Sequence, residues 1–500
     1  MRTFREVIDA HAAIRPAAPC IVAPEPATVL TYAELRRSGA ALGSYLSHAG
    51  IAPGAVVSFM LPNGIAAASV FLGAMYAGYV VSPVNLLGGD AQLEFTLAHS
   101  RTRLVFTAPE HVARLRALLQ RAQSAAVVCP TDPDRLELAG HPDAALTAVA
   151  PETPAMLMYT SGTTGTPRGV LLSHWNMLYA AGAVVAAQEL TESDRVLSAL
   201  PLYHINGQCI ATVSPVLSGG SVVMPHRFSA SQWWPLIERY RPTWLNVVPT
   251  IIAYLLNGPD VTAAQASACR AIRFGRSASA PLPIEQHRAF ETRFGISVIE
   301  AMGLTETASV AFANPLDASR RKYGSVGLPL GIEARIVAAD GTGLGAGEQG
   351  EIQVRGANVI AEYFRAPELT AEARSAEGWL ATGDLGYRDG DGYYFVAGRR
   401  KELIIKGGEN IAPREIDEAL LRHPAVLEAA AVGIPDPNYG QDILACVVLK
   451  PGARCDEAEL RAHCLAQLGR YKAPRWLRLV AALPKGPSGK VQRLRLLDLQ

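Results

Sequence analysis

The stretch Tyr159 to Val170 reads YTSGTTGTPRGV, a run of small and hydroxylated residues with one cation, Arg168, near its end. Residues of these types suit the binding of a polyphosphate. Glycines let the backbone curl closely round an anion, hydroxyls and amides donate to phosphate oxygens, and Arg168 adds positive charge. An apolar AMLM run precedes the stretch, and Ser173, a candidate N-cap, opens the helical SHWNMLYAAG after it. The pattern is not GxxxxGK[ST], so the ordinary P-loop mechanism is not implied. On spacing alone the stretch reads either as a phosphate loop or as a mobile polar turn.

Four further segments follow in order: GLTE at Gly303 to Glu306, TGD at Thr382 to Asp384, GRRKELIIKGGENIAPREIDEAL from Gly398, and PKGPSGKVQR from Pro484. Together with YTSGTTGTPRGV this ordered set resembles the adenylate-forming acyl- and aryl-CoA synthetase superfamily. That superfamily also contains peptide-synthetase adenylation domains and firefly-type luciferases. TGD alone is a weak signal, whereas the ordered set is specific. The motifs run from Tyr159 to Arg493 and the layout before them is compatible, so the resemblance covers nearly the whole chain.

The resemblance implies a role for each matching residue. Thr160, Ser161, Gly162, Thr163, Thr164, Gly165, Thr166, Arg168 and Gly169 would hold the β- and γ-phosphates of ATP. Arg168 stands where lysine is more usual, which keeps the charge and changes the donor geometry. Thr305 would contact the α-phosphate and Glu306 would help coordinate Mg²⁺. Asp384 would accept hydrogen bonds from the ribose hydroxyls, with Arg399 on the same sugar. Met302 and Ala278 stand on the adenine side, where relatives commonly carry an aromatic residue and a glycine; methionine covers a base without stacking on it.

Lys490 would serve the first half-reaction. Attack of a carboxylate on the α-phosphate brings like charges together, and a lysine between them lowers that repulsion where charge builds. For the second half-reaction, the superfamily rotates a C-terminal domain about a hinge, matched here by Lys401. Gly407 matches the glycine past which the pantetheine arm of coenzyme A approaches, and its missing side chain supplies the physical reason. Lys406 is either solvated or in contact with a CoA phosphate.

Acyl specificity is expected from PLYHINGQ, RFGRSASAPL and EAMGLTE. His204 resembles the residue between acyl and thiol pockets, as a gate or a carboxylate-side contact. A general-base role for it is weaker, because a thiol already has a few per cent thiolate near neutral pH. Asn206, Gly207 and Phe274 are further pocket candidates. Arg276 either binds the distal carboxylate of a diacid, or contacts CoA, or forms an ordinary salt bridge.

The implied activity is that of an AMP-forming acid:CoA ligase using ATP, Mg²⁺ and coenzyme A on a small-molecule carboxylic acid. The alternatives are an enzyme that loads a separate carrier-protein pantetheine and a nucleotide-binding scaffold without catalysis. Luciferase-like oxidation is a remote third choice, since acyl-activation motifs do not specify an oxygenating pocket.

These residues need a large frame to converge. At 500 residues the chain has room for about three domain-sized units. A composition 49% hydrophobic and 18% charged, with 44 glycines and 34 prolines, argues for a compact, turn-rich protein and against disorder or a coiled coil. A net charge of +1 excludes a dominant nucleic-acid footprint. The charge is unevenly placed: six of seven lysines follow residue 400, and residues 399–500 hold 17 basic and 12 acidic side chains.

The first 300 residues offer strand candidates VVSFML, LVFTA, AAVVCP, VLSALPL, SVVMP and TWLNVV between helical segments, the pattern of layered α/β packing. From Gly324 to Val396 short strands punctuated by glycine predict a β-rich subdomain, and after Arg399 helices return in REIDEALLRHPAV and DEAELRAHCLAQLG. The expected fold is α/β, with residues 1–398 as a large multi-subdomain N-terminal body of layered sheets and residues 399–500 as a small mobile α+β domain. The uncharged stretch from Ile51 to Gly89 is long enough to span a bilayer, yet its Ala/Gly/Ser content and Pro83 favour a buried helix and strand, so no stable membrane insertion is expected. Seven cysteines without CxxC spacing and no secretory or lipidation signal predict a cytoplasmic protein with free thiols. Monomer and homodimer both remain open.

Overall fold

The computed structural model describes residues 2–138, 145–160, 167–485 and 491–499. Two sheets of mainly parallel strands form the bulk of the molecule. In the six-stranded sheet, Val56–Met60 lies between Leu104–Thr107 and Val80–Pro83, all parallel, with Val127–Pro130 at one edge. The hairpin of Pro154–Thr160 and Arg168–Ser173 completes the other edge. In the nine-stranded sheet, Val298–Met302, Phe274–Ser277, Trp244–Val247, Arg195–Leu197, Ser221–Val223 and Pro19–Ala23 run parallel in that spatial order.

The strand candidates all fall on strands, but VLSALPL contributes only Val196 and Leu197. Pro201 cannot donate to a ladder, and the segment is instead held by Asn63, whose side chain donates to Leu200 O at 3.0 Å and accepts from Leu202 N at 2.9 Å. The uncharged stretch becomes helix Ile65–Ala77, buried at every residue, followed by buried strand Val80–Pro83. Gly78 ends that helix at φ +88°, a left-handed cap open to glycine. Among the described residues no helix is long and apolar enough to cross a membrane.

Glu333–Val337, Gly350–Arg355, Leu380–Arg388 and Tyr394–Arg399 form a four-stranded antiparallel sheet, the β-rich unit expected from the sequence. A further five-stranded sheet is built wholly from residues after Leu403, in which Gly440–Leu449 pairs with Val426–Asp436, Ile404–Lys406 and Trp476–Leu479. Helices Pro413–Leu421 and Glu457–Lys472 cover it, burying Ile416, Leu420, Leu460 and Cys464 against Ile443 and Leu477. The chain thus has an α/β body and a smaller α+β unit.

Candidate active site

The phosphate-loop motif is the connection of a β-hairpin. Thr160 and Arg168 are cross-strand partners, so the chain leaves and re-enters the six-stranded sheet at one place. Ser161, Gly162, Thr163, Thr164, Gly165 and Thr166 lie outside the described residues. Ser173 is the N-cap expected of it, with its hydroxyl accepting from Asn176 N at 3.1 Å while the Asn176 side chain returns to Ser173 N.

Gly169 is glycine for a packing reason. A Cβ there would stand 3.1 Å from Phe364 Cβ, and Phe364 N donates to Gly169 O at 2.8 Å. The same close approach brings Tyr363 opposite Val170 in an antiparallel bridge. Tyr363, which no motif marks, then donates its phenol to Glu306 Oε1 at 2.9 Å and has Arg168 as a second side-chain partner. Burial and the Glu306 carboxylate push the Tyr363 phenol above its ordinary value, with Arg168 opposing them. Arg168, Tyr363 and Glu306, from three separate segments, therefore form one cluster.

Thr305 and Glu306 occupy a short 3-10 turn, Thr305–Thr307, just beyond strand Val298–Met302. Gly303 permits this turn, because a Cβ would overlap Ser309 O at 2.1 Å. Thr307 Oγ1 accepts from Leu304 N, Asn358 donates to Thr307 O and Val310 O, and Ile360 N donates to Glu306 O. Met302 closes the strand, half-buried against the four-stranded sheet, and Ala278 is buried at the end of Phe274–Ser277.

Asp384 and Arg399 are cross-strand partners in the four-stranded sheet, with Arg399 Nε 3.0 Å from Asp384 Oδ1. The carboxylate is buried and the guanidinium half-exposed. Asp384 first, then Glu402 and Glu306, hold the Arg399 guanidinium more firmly charged than usual. Glu306 is thus within electrostatic reach of both clusters.

Lys401 is exposed in the turn Arg400–Glu402, which joins the four-stranded sheet to the C-terminal one. Lys490 lies outside the described residues. Arg493, three residues on and unmarked as a site residue by the sequence, bonds Asp417 Oδ2 at 2.5 Å and Ala431 O at 3.0 Å and approaches Glu402 at 3.3 Å. The end of the PKGPSGKVQR motif is therefore fastened beside the turn carrying Lys401.

Gly407 and Gly408, at φ +55° and +86°, form the two-residue turn between Ile404–Lys406 and Glu409–Ile411. Two successive positive φ values are what a tight hairpin of this hand requires, so Gly407 has a backbone reason for its identity. Lys406 meets neither sequence expectation. It is buried, with Nζ 2.6 Å from Asp442 Oδ1 and the rings of Tyr471 and Tyr439 at 5.3 and 5.5 Å. Burial removes it from solvent and from any phosphate of CoA.

The acyl-pocket candidates gather around a π-helical turn, Asn206–Val213, a distortion often found at functional sites. His204 precedes it, its ring edge-on to Tyr203 at 4.9 Å. Gly207 lets the turn lie against the chain at Leu200 and Pro201, whose carbonyl oxygens would be 2.7 and 2.5 Å from a Cβ. Asn206 donates to Ser279 Oγ and accepts from Asn246 Nδ2, both at 3.1 Å. Phe274 is fully buried and stacks on Trp244, 5.6 Å between centroids. Arg276 is fully buried two residues further along the same strand, and its salt-bridge reading is overturned: none of its guanidinium nitrogens has a hydrogen-bond partner among the described residues.

The convergence of these segments matches known proteins over almost the full length. The AMP-binding enzyme family model matches residues 8–364, and the model of the AMP-binding enzyme C-terminal domain matches residues 415–490. The chain belongs to the AMP-binding enzyme family. Within that family it is 55% identical to a sulfoacetate–CoA ligase of Cupriavidus necator, covering 99% of this chain and 97% of that one. It is 35% identical to an oxalate–CoA ligase of Arabidopsis thaliana, over 90% and 89% of the two chains. Among solved structures, ATP-bound MatB from Rhodopseudomonas palustris superposes with a TM-score of 0.91, at 30% identity and 99% coverage of both chains. This AMP-binding enzyme is an acyl-adenylate-forming CoA ligase acting on a carboxylic acid.

Proposed function

We propose that this AMP-binding enzyme is an AMP-forming ligase that joins a small carboxylic acid to coenzyme A. The reading rests on one observation, the joining of Arg168 to Glu306 through Tyr363 at the phosphate-loop hairpin, with the Asp384–Arg399 pair within electrostatic reach of Glu306. Arg168 supplies charge for the terminal phosphates, and Asp384 an acceptor for a ribose hydroxyl. Glu306 fits a divalent cation: Tyr363 orients one carboxylate oxygen, and Oε2 takes no hydrogen bond among the described residues. Mg²⁺ held there would neutralise phosphate charge.

The acid's carboxylate oxygen attacks the α-phosphorus, forming the acyl-adenylate as pyrophosphate leaves, with Lys490 easing the approach of the two anions. The CoA thiolate then attacks the activated carbonyl, forming the thioester and releasing AMP. Residues 399–500 would turn about Lys401 between the two steps. The position of Lys401 in the connection between two sheets supports this reading. All seven cysteines are free thiols, which supports a cytoplasmic setting.

The 55% relative makes sulfoacetate the first acid to test, with malonate and oxalate as further dianionic acids and acetate, propanoate and butanoate as singly charged ones. AMP, pyrophosphate and thioester should appear in equal amounts when CoA is the acceptor. A thioester formed on a pantetheinylated carrier protein and not on CoA would transfer the assignment to carrier loading.

A further inference from the structure

Arg276 lies on strand Phe274–Ser277 with Asn246 as its neighbour on one side and Ile299 on the other. Residues in direct register on parallel strands project to the same face, and the stacked rings of Trp244 and Phe274, two residues back on each strand, mark that face. It is the face of the acyl-pocket candidates, since Asn246 Nδ2 donates to Asn206 Oδ1, and Asn206 in turn holds Ser279.

The guanidinium is fully buried there, and Nε, Nη1 and Nη2 all lack a hydrogen-bond partner among the described residues. Burial alone lowers its pKa from the ordinary arginine value to about 10, which leaves it charged at neutral pH. A buried cation is strongly unfavourable unless an anion pairs with it, and a guanidinium offers carboxylates and sulfonates a two-pronged contact. No Asp or Glu of the described chain makes that pair.

We propose that Arg276 determines specificity for an acid with a second anionic group, carboxylate or sulfonate, at the end away from the carboxylate that is activated. The proposal rests on the ligase reading above and adds to it the class of acid.

The test is acid-dependent exchange of pyrophosphate into ATP, run on the full-length enzyme with the dianionic and singly charged acids. Wild type should exchange with at least one dianionic acid a hundredfold faster, as kcat/KM, than with the singly charged acid of equal length. Arg276→Met should lose that preference while keeping its KM for ATP, and Arg276→Lys should restore part of it. A second measurement needs no variant: the preferred dianionic acid should raise the melting temperature of wild type, and its singly charged counterpart at the same concentration should not. Wild-type preference for singly charged acids, or equal loss with both classes in a folded Arg276→Met, overturns the role of Arg276 and leaves the ligase reading standing. Absence of AMP formation with every acid would instead overturn the ligase reading, and this proposal with it.

Discussion

The Tyr363 hydroxyl donates to Glu306 Oε1 at 2.9 Å and so joins the strand-bridging segment after residue 360 to the GLTE turn. Hydrogen bonds to charged groups contribute about 1.5–3 kcal/mol, and this one orients the carboxylate proposed to face the metal. Tyr363→Phe should therefore reduce kcat/KM for ATP by about 10- to 100-fold, with the larger part of the loss at low Mg²⁺. A Mg²⁺ titration of exchange in both proteins checks this; superimposable curves would remove Tyr363 from the site.

Lys490 should separate the two half-reactions. Its charge is needed where carboxylate and phosphate oxygens approach, and not where a thiolate attacks a carbonyl. Lys490→Ala is expected to slow pyrophosphate exchange about 100-fold or more, the scale of removing a preorganised charge contact. The same variant, supplied with chemically prepared acyl-adenylate and CoA, should form thioester within a few-fold of the wild-type rate. Equal losses in both assays would contradict this assignment.

The buried Lys406–Asp442 pair should be structural. Asp442→Asn leaves the ammonium between two tyrosine rings without its carboxylate, and removing one partner of such a pair costs about 3–5 kcal/mol. Lys406→Met should cost less, because Arg475 Nη1 remains 3.7 Å from Asp442 Oδ2. Urea denaturation of the two variants gives the comparison. The KM for CoA in Lys406→Met should stay within about twofold of wild type, since the lysine does not reach the solvent side.

His174 ties stability to acid pH. Its Nδ1 accepts from Phe4 N at 3.3 Å, and burial, aided by Arg5, lowers its pKa from 6.5 to about 4. The unfolded chain thus binds a proton more readily than the folded one. Stability is fully present above pH 6.5 and falls as the pH drops through the interval towards 4, by up to about 3 kcal/mol. Melting curves across that interval should steepen for wild type relative to His174→Gln; parallel pH dependences would count against this group.

Much of the local structure was legible in sequence. The Ser173 cap and the glycine-punctuated strands after Gly324 follow from residue chemistry acting over a few positions. The truncation of VLSALPL was not legible, because it depends on Asn63, more than a hundred residues earlier, occupying the backbone groups of Leu200 and Leu202. Tyr363 and Arg493 were not legible for a related reason. Tyrosine and arginine are common side chains, and nothing nearby in the chain distinguishes one that bridges Arg168 to Glu306 or anchors a motif beside Glu402.

By itself the sequence determined the chemistry available: a hydroxyl-rich loop, a carboxylate in GLTE, an aspartate in TGD and a conspicuous arginine in FGRSAS. Tertiary structure decided which of these groups meet and which charges find partners. Lys406 is matched by Asp442 across two strands, whereas Arg276, also buried, meets no acidic side chain among the described residues. The difference is physical. A cation's cost depends on the dielectric around it and on the nearest anion, and both are set by strand register and packing between residues far apart in the chain.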